Sequence, residues 1–121
     1  MVKDDTCCTL VPYFKIHEGQ VDAFRAGCQD FIEKTLEEGD GCQFYAFSFD
    51  GETAHCREGY RDAEAVLAHL ENVGELLNKA LTISDISSLE VHAPASEIEK
   101  LRGPLAALGP RFFTVESGFR R

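Results

Sequence analysis

From Cys7 to Ile16 the chain reads CCTLVPYFKI, a run of β-branched, aromatic and apolar residues closed by HEGQ, and it predicts a first strand. Pro12 lies inside that run and cannot donate to a ladder, so the strand is expected to be bulged, short or on an edge there. The period then changes. Between Gln20 and Glu38, Val21, Phe24, Cys28, Phe31, Ile32 and Thr35 recur three or four residues apart among charged neighbours, which predicts an amphipathic helix stopped at Gly39. Gly27 costs that helix up to about 1 kcal/mol relative to alanine and marks a site of close packing against the sheet.

The stretch CQFYAFSFDGETAHCREGY predicts two strands around Asp50-Gly51, the dipeptide that best supplies the positive φ angles of a two-residue type I′ turn. That hairpin sets Phe49 opposite Glu52, Phe47 opposite Ala54, Tyr45 opposite Cys56 and Gln43 opposite Glu58, with Cys42, Phe44, His55 and Arg57 on the other side. Cys42 and Cys56 then face apart and are not expected to bond. A second helix is predicted from Asp62, its N-cap, to Leu81, with Ala63, Val66, Leu67, Leu70, Val73, Leu77 and Ala80 as its apolar stripe. Ile86 to His92 reads as a fourth strand, APASEIEKLRGPLAALGP as a short third helix capped by Ser96, and RFFTVESGF as a last strand.

The order β-α-β-β-α-β, with an α-β extension at the C-terminus, is that of an α+β ferredoxin-like split βαβ sheet in a single domain, residues 1–121. The strands are apolar on both sides, whereas two main helices cover one face. The other face is therefore expected to pack on a second copy of the chain, sheet to sheet at roughly 10 Å, as a dimeric α/β barrel.

Charge narrows the partners. Twelve Lys and Arg against twenty-one Asp and Glu give a formal charge of −9, which opposes nucleic-acid binding and an anionic membrane surface. The N-terminal MVKDDTCCTLVPYF is too short and interrupted in its apolar run for a signal peptide or a spanning helix, so the cytoplasm is the expected location. Five cysteines without a CxxC motif fit reduced thiols.

Two segments, GCQFYAFSFDG and EGYRDAEAVLAHL, together resemble the antibiotic-biosynthesis-monooxygenase-like domains of the dimeric α/β-barrel superfamily. The resemblance runs from Cys7 to about Leu81. It implies a homodimer with one small-molecule pocket per subunit between sheet and helices. Members include cofactor-independent oxygenases of quinol-like aromatic polyketides and relatives that bind and degrade haem. The chain has no tryptophan, so Tyr60 stands where several oxygenases carry one, and Val73 and Gly74 stand where a second histidine often follows the first. The haem-degrading relatives are thus the poorer match, and no cofactor is expected.

A cofactor-free oxygenase needs a dry pocket, a base for a phenolic proton, and hydrogen bonds that hold the resulting anion while it meets dioxygen. His69 is the candidate base, and Tyr60 joins it as a candidate catalytic residue. Tyr45, Phe47, Glu58, Phe24 and Phe31 are the candidate residues for binding a small aromatic or apolar ligand. A carboxylate at Glu58 on that face must be paired or lie at the pocket mouth; Arg57 points the other way, so a basic residue on another element, or solvent, is expected to meet it. His17, His55, His69 and His92 fall at no metal-ligand spacing, so no metal site is expected. The competing readings are an oxygenase and a non-catalytic binding domain in which His69 is a satisfied core histidine.

Overall fold

The computed structural model describes residues 2–121. Its elements are β1 (Cys8–Ile16), α1 (Val21–Leu36), β2 (Cys42–Asp50), β3 (Thr53–Tyr60), α2 (Ala63–Asn72), α3 (Gly74–Ala80), β4 (Ser84–Ala93), α4 (Ala95–Leu101), a 3-10 turn at Ala106–Leu108, and β5 (Arg111–Thr114). One five-stranded sheet runs in the order β2-β3-β1-β4-β5, antiparallel except for the parallel pair β4 and β5. This is the ferredoxin-like sheet, and α4 supplies the crossover that lays β5 beside β4.

Pro12 lies on the central strand. The ladder of β1 with β3 lapses at Val11 and Pro12, between the Leu10–Glu58 and Tyr13–His55 pairs, and the register with β4 shifts between Tyr13 and Phe14. The sheet accommodates the missing donor by an interruption and a bulge instead of placing the strand at an edge.

The β2-β3 hairpin forms, but its register is two residues away from that expected. Asp50 faces Thr53, Phe49 faces Ala54, Phe47 faces Cys56 and Tyr45 faces Glu58. Gly51 and Glu52 make the turn, and only Gly51 has a positive φ, 58°. A type I′ turn would need a positive φ at Glu52 as well, which its Cβ resists. An even shift leaves each side chain on its own face, so Tyr45, Phe47, Cys56 and Glu58 still point toward the helices. Cys42 does not follow that rule. A bulge between Cys42 and Phe44 sets it opposite Tyr60 and packs it into the helix-side core, the face it was expected to avoid. All five cysteines are free thiols.

Asp62 caps α2 by accepting from the Ala65 backbone N–H at 2.8 Å. The helix expected to reach Leu81 breaks at Val73, where φ −98° and ψ 7° leave the helical region, and α3 starts afresh at Gly74. Ser96 does not cap α4; Pro94 holds that position in an extended conformation, with φ already near the helical value. Gly27 is not a close-packing glycine either, because a Cβ there would meet nothing within 4 Å.

The helices cover one face of the sheet with two groups of buried residues, one around Leu10, Tyr60, Val66 and Ile98, the other around Phe14, Ile16, Phe24 and Ala54. Among the described residues no helix lies over the opposite face. It carries the Tyr13–His55 and His92–Phe113 stacks, with centroids 4.5 and 4.7 Å apart, and Arg57 lying 4.7 Å over the Phe44 ring.

Gly59 is the glycine that close packing requires. A Cβ at this position would overlap the Phe44 ring and press on Cys7 Sγ. Gly59→Ala is expected to destabilise the fold by about 1–3 kcal/mol through this overpacking, read as a lower midpoint in urea denaturation with an unchanged slope.

Candidate functional site

The alternation of β3 places Cys56, Glu58 and Tyr60 under the helices, and the phase set by the Asp62 cap carries His69 to the sheet-facing side of α2. Between sheet and helices lies a cavity of roughly 60 Å³, with Tyr45, Phe47, Glu58 and His69 in its lining. Phe24, Phe31 and aliphatic residues such as Leu77 and Leu89 complete an almost wholly apolar wall. Tyr60 does not line it. Its ring is fully buried behind Glu58, so it can act on a ligand only through that carboxyl.

Glu58 is the chemical centre. Only 5 % of its surface is exposed, and the Tyr60 hydroxyl donates to its Oε1 at 2.6 Å. Among the described residues no lysine or arginine reaches it, and His69 Nε2 is its nearest basic atom, 3.8 Å from Oε1. Burial pushes its pKa up to about 7, against the lowering effect of the Tyr60 and Cys56 side chains. The carboxyl is thus poised to hold or release a proton near neutral pH.

His69 is 2 % exposed and packed between Tyr45 and Tyr60, with ring centroids 5.3 and 5.1 Å away. Its Nδ1 lies 2.9 Å from Glu38 Oε2 and 3.2 Å from Oε1. Burial lowers its pKa, and the neighbouring Glu38 opposes that shift. Asn72 Nδ2 donates to Glu38 Oε2 at 2.8 Å and to the Lys34 carbonyl at 2.9 Å. Burial also raises the pKa of Tyr45, Tyr60 and Cys56, so these groups remain protonated.

The structure brings Tyr45, Phe47, Glu58, Phe24, Phe31 and His69 to one cavity and sets Tyr60 behind it. Sequence reasoning missed Glu38 and Asn72. An acidic residue just past a helix end, in the run EEGD, reads as solvated surface. The available signal was its position at the negative end of the α1 dipole, where a carboxylate is disfavoured without a local partner. Among the described residues no group of three or more His, Cys, Asp or Glu side chains could hold a metal ion, and no helix is long and apolar enough to cross a membrane.

Residues 8–74 match the antibiotic biosynthesis monooxygenase family. Among solved structures, MupZ from Pseudomonas fluorescens is 48% identical, with a TM-score of 0.91, over 97% of this chain and 96% of that one. Rv0793 from Mycobacterium tuberculosis, 23% identical at a TM-score of 0.62, is matched over 73% of this chain and 94% of its own. A conserved protein from Methanosarcina mazei Go1, 21% identical at 0.63, is matched over 71% and 88%. The last two share the fold. A search of curated proteins finds no match.

The raised Glu58 pKa has a thermodynamic consequence. Below about 4.5 the carboxyl is protonated both folded and unfolded, whereas between about 4.5 and 7 the unfolded chain releases a proton that the native state keeps. Its contribution to stability therefore falls as pH rises through that window. Glu58→Gln should match the parent at pH 4 and exceed it above pH 7 by on the order of 3 kcal/mol, read by denaturant titration at each pH.

Proposed function

The chain belongs to the antibiotic biosynthesis monooxygenase family, and from that premise we propose that it is a cofactor-independent acid–base enzyme acting on a small apolar or aromatic, oxygen-bearing molecule. The observation that carries this reading is Glu58: a carboxyl with a pKa near 7, bonded to Tyr60, flanked by an imidazole and set into an apolar wall. Structural roles do not call for such a group, because burying a carboxyl without a lysine or arginine partner destabilises a fold. Perturbed acids in clefts are characteristic of catalytic sites.

Within this chemistry the reaction is oxygenation of a quinol-like or polyketide aromatic. His69 Nε2 takes a phenolic proton, the dry wall keeps water from the resulting anion, dioxygen adds at a ring carbon as Glu58 protonates its distal oxygen, and the hydroperoxide loses water by O–O cleavage to leave the quinone. Proteins of this family are typically dimers, and the uncovered sheet face, with its stacked aromatics, is the surface on which a second copy packs. Light scattering should give about twice the 13.4 kDa chain mass.

The cavity size is compatible with a competing reading. At roughly 60 Å³ it is smaller than the ~150 Å³ apolar cavity that admits benzene, so a ring enters only if side chains such as Phe31 or Phe47 move. A binding domain without turnover would share that property. Oxygen uptake with a panel of hydroxylated naphthalenes and anthracenes distinguishes the two. The enzyme reading predicts turnover that falls roughly 10²–10⁴-fold in Glu58→Gln and in His69→Gln, with both variants folded. Binding without turnover would make this a carrier domain, and full activity in Glu58→Gln would remove the acid–base reading. Conversion that depends on Glu58 but consumes no oxygen would keep the acid–base enzyme and remove the oxygenase.

A further inference from the structure

We propose that Glu38 is a positioning residue: held by Asn72, it fixes His69 as the Nδ1–H tautomer and leaves Nε2 bare toward Glu58. The inference deepens the acid–base reading above and rests on it. Neither residue touches the cavity, and both act through the imidazole.

Glu38 is held from two sides. It sits in the turn after α1, ahead of Gly39, whose φ of 92° redirects the chain. Its side chain is 11 % exposed, and both oxygens lie within hydrogen-bond distance of His69 Nδ1. A carboxylate only accepts hydrogen bonds, so Nδ1 must carry the proton that joins them. Asn72 clamps the other side. Its amide donates to Glu38 and to the carbonyl of Lys34, one of the last-turn carbonyls that α1 leaves without a helical partner. One side chain on α2 thus ties the end of α1 and the Glu38 carboxylate to the helix that carries His69.

The ring cannot readily turn to exchange its nitrogens, since Tyr45 and Tyr60 pack against it. With Nδ1–H committed to Glu38, a neutral His69 presents a lone pair at Nε2, 3.8 Å from Glu58 Oε1. At this separation the two groups are not hydrogen-bonded, and a bare nitrogen has no proton to offer an ionised Glu58, so it does not stabilise the charged carboxylate. The charged group behind the ring adds to this, because Glu38 raises the Glu58 pKa through space. The remaining groups around Glu58 are Tyr60 and Cys56 on its own strand and Tyr45 and Cys42 on β2, which stay neutral, so Glu38 is the nearby charge. Glu38 thereby keeps the base free and the acid loaded. Without it, His69 gains by placing its proton on Nε2 and donating to an ionised Glu58.

The test needs no substrate. In ¹⁵N-histidine-labelled protein, the two ring-nitrogen shifts of His69 report the tautomer, and ¹³C shifts of the Glu58 carboxyl report its titration. The parent should show Nδ1–H. Glu38→Leu should convert His69 to the Nε2–H form and lower the Glu58 midpoint by about one pH unit or more. Glu38→Gln, which retains an accepting oxygen without the charge, should keep Nδ1–H and lower the midpoint less. Asn72→Ala should give a mixture of tautomers. An Nε2–H parent, or a Glu38→Leu variant that keeps Nδ1–H with an unmoved Glu58 midpoint, overturns the proposal. If Glu38→Leu does not fold, the Glu38→Gln and Asn72→Ala pair decides: unchanged tautomers and midpoint in both refute it. The readouts are independent of turnover, so an Nδ1–H parent alongside a fully active Glu58→Gln would reject the functional reading alone.

Discussion

Burying the Glu58 carboxyl at the floor of an apolar cavity is the constraint to which the surrounding residues answer. Transferring an ionised carboxylate from water into such a place costs several kcal/mol after relaxation, so the group takes a proton near neutral pH instead of staying charged. Tyr60 satisfies one oxygen at 2.6 Å, and His69 stands beside it. The result is a proton held by protein groups at the edge of an apolar void.

The fold supplies that arrangement by ordinary means. Strand alternation puts Cys56, Glu58 and Tyr60 on one face, and Gly59 between them lets Phe44 cross the back of the strand where a Cβ would obstruct it. The Asp62 cap sets where α2 begins, and hence that Val66 and His69 face inward three residues apart while Asn72, one further turn along, meets the end of α1. The break at Val73 then frees α3 to lay Leu77 and Ala80 against the cavity. Local capping and turn chemistry thus determine nanometre-scale placement of an acid and a base.

What could be read from the chain was whatever local physics decides. The periodicities of α1 and β1, the cap at Asp62 and the faces of the hairpin follow from residues a few positions apart, and the ferredoxin-like order follows from their sequence. Glu58 and His69 could be singled out because a carboxylate and an imidazole on apolar faces are unusual there. The hairpin register escaped because Asp50-Gly51 suits more than one turn, and the choice was made by a glutamate that resists positive φ. Cys42 changed face because a bulge is decided by how the whole pair of strands twists. Glu38 and Asn72 escaped for a related reason: their meaning lies in contacts across more than thirty residues of sequence, which no local pattern encodes.

Neutron diffraction from deuterium-exchanged crystals, at a pD below the Glu58 midpoint of about 7, would locate the protons directly. Deuterium is expected on the Glu58 carboxyl and on Nδ1 of His69, with none on Nε2. A bare Glu58 carboxylate facing a deuterated Nε2 would contradict that assignment.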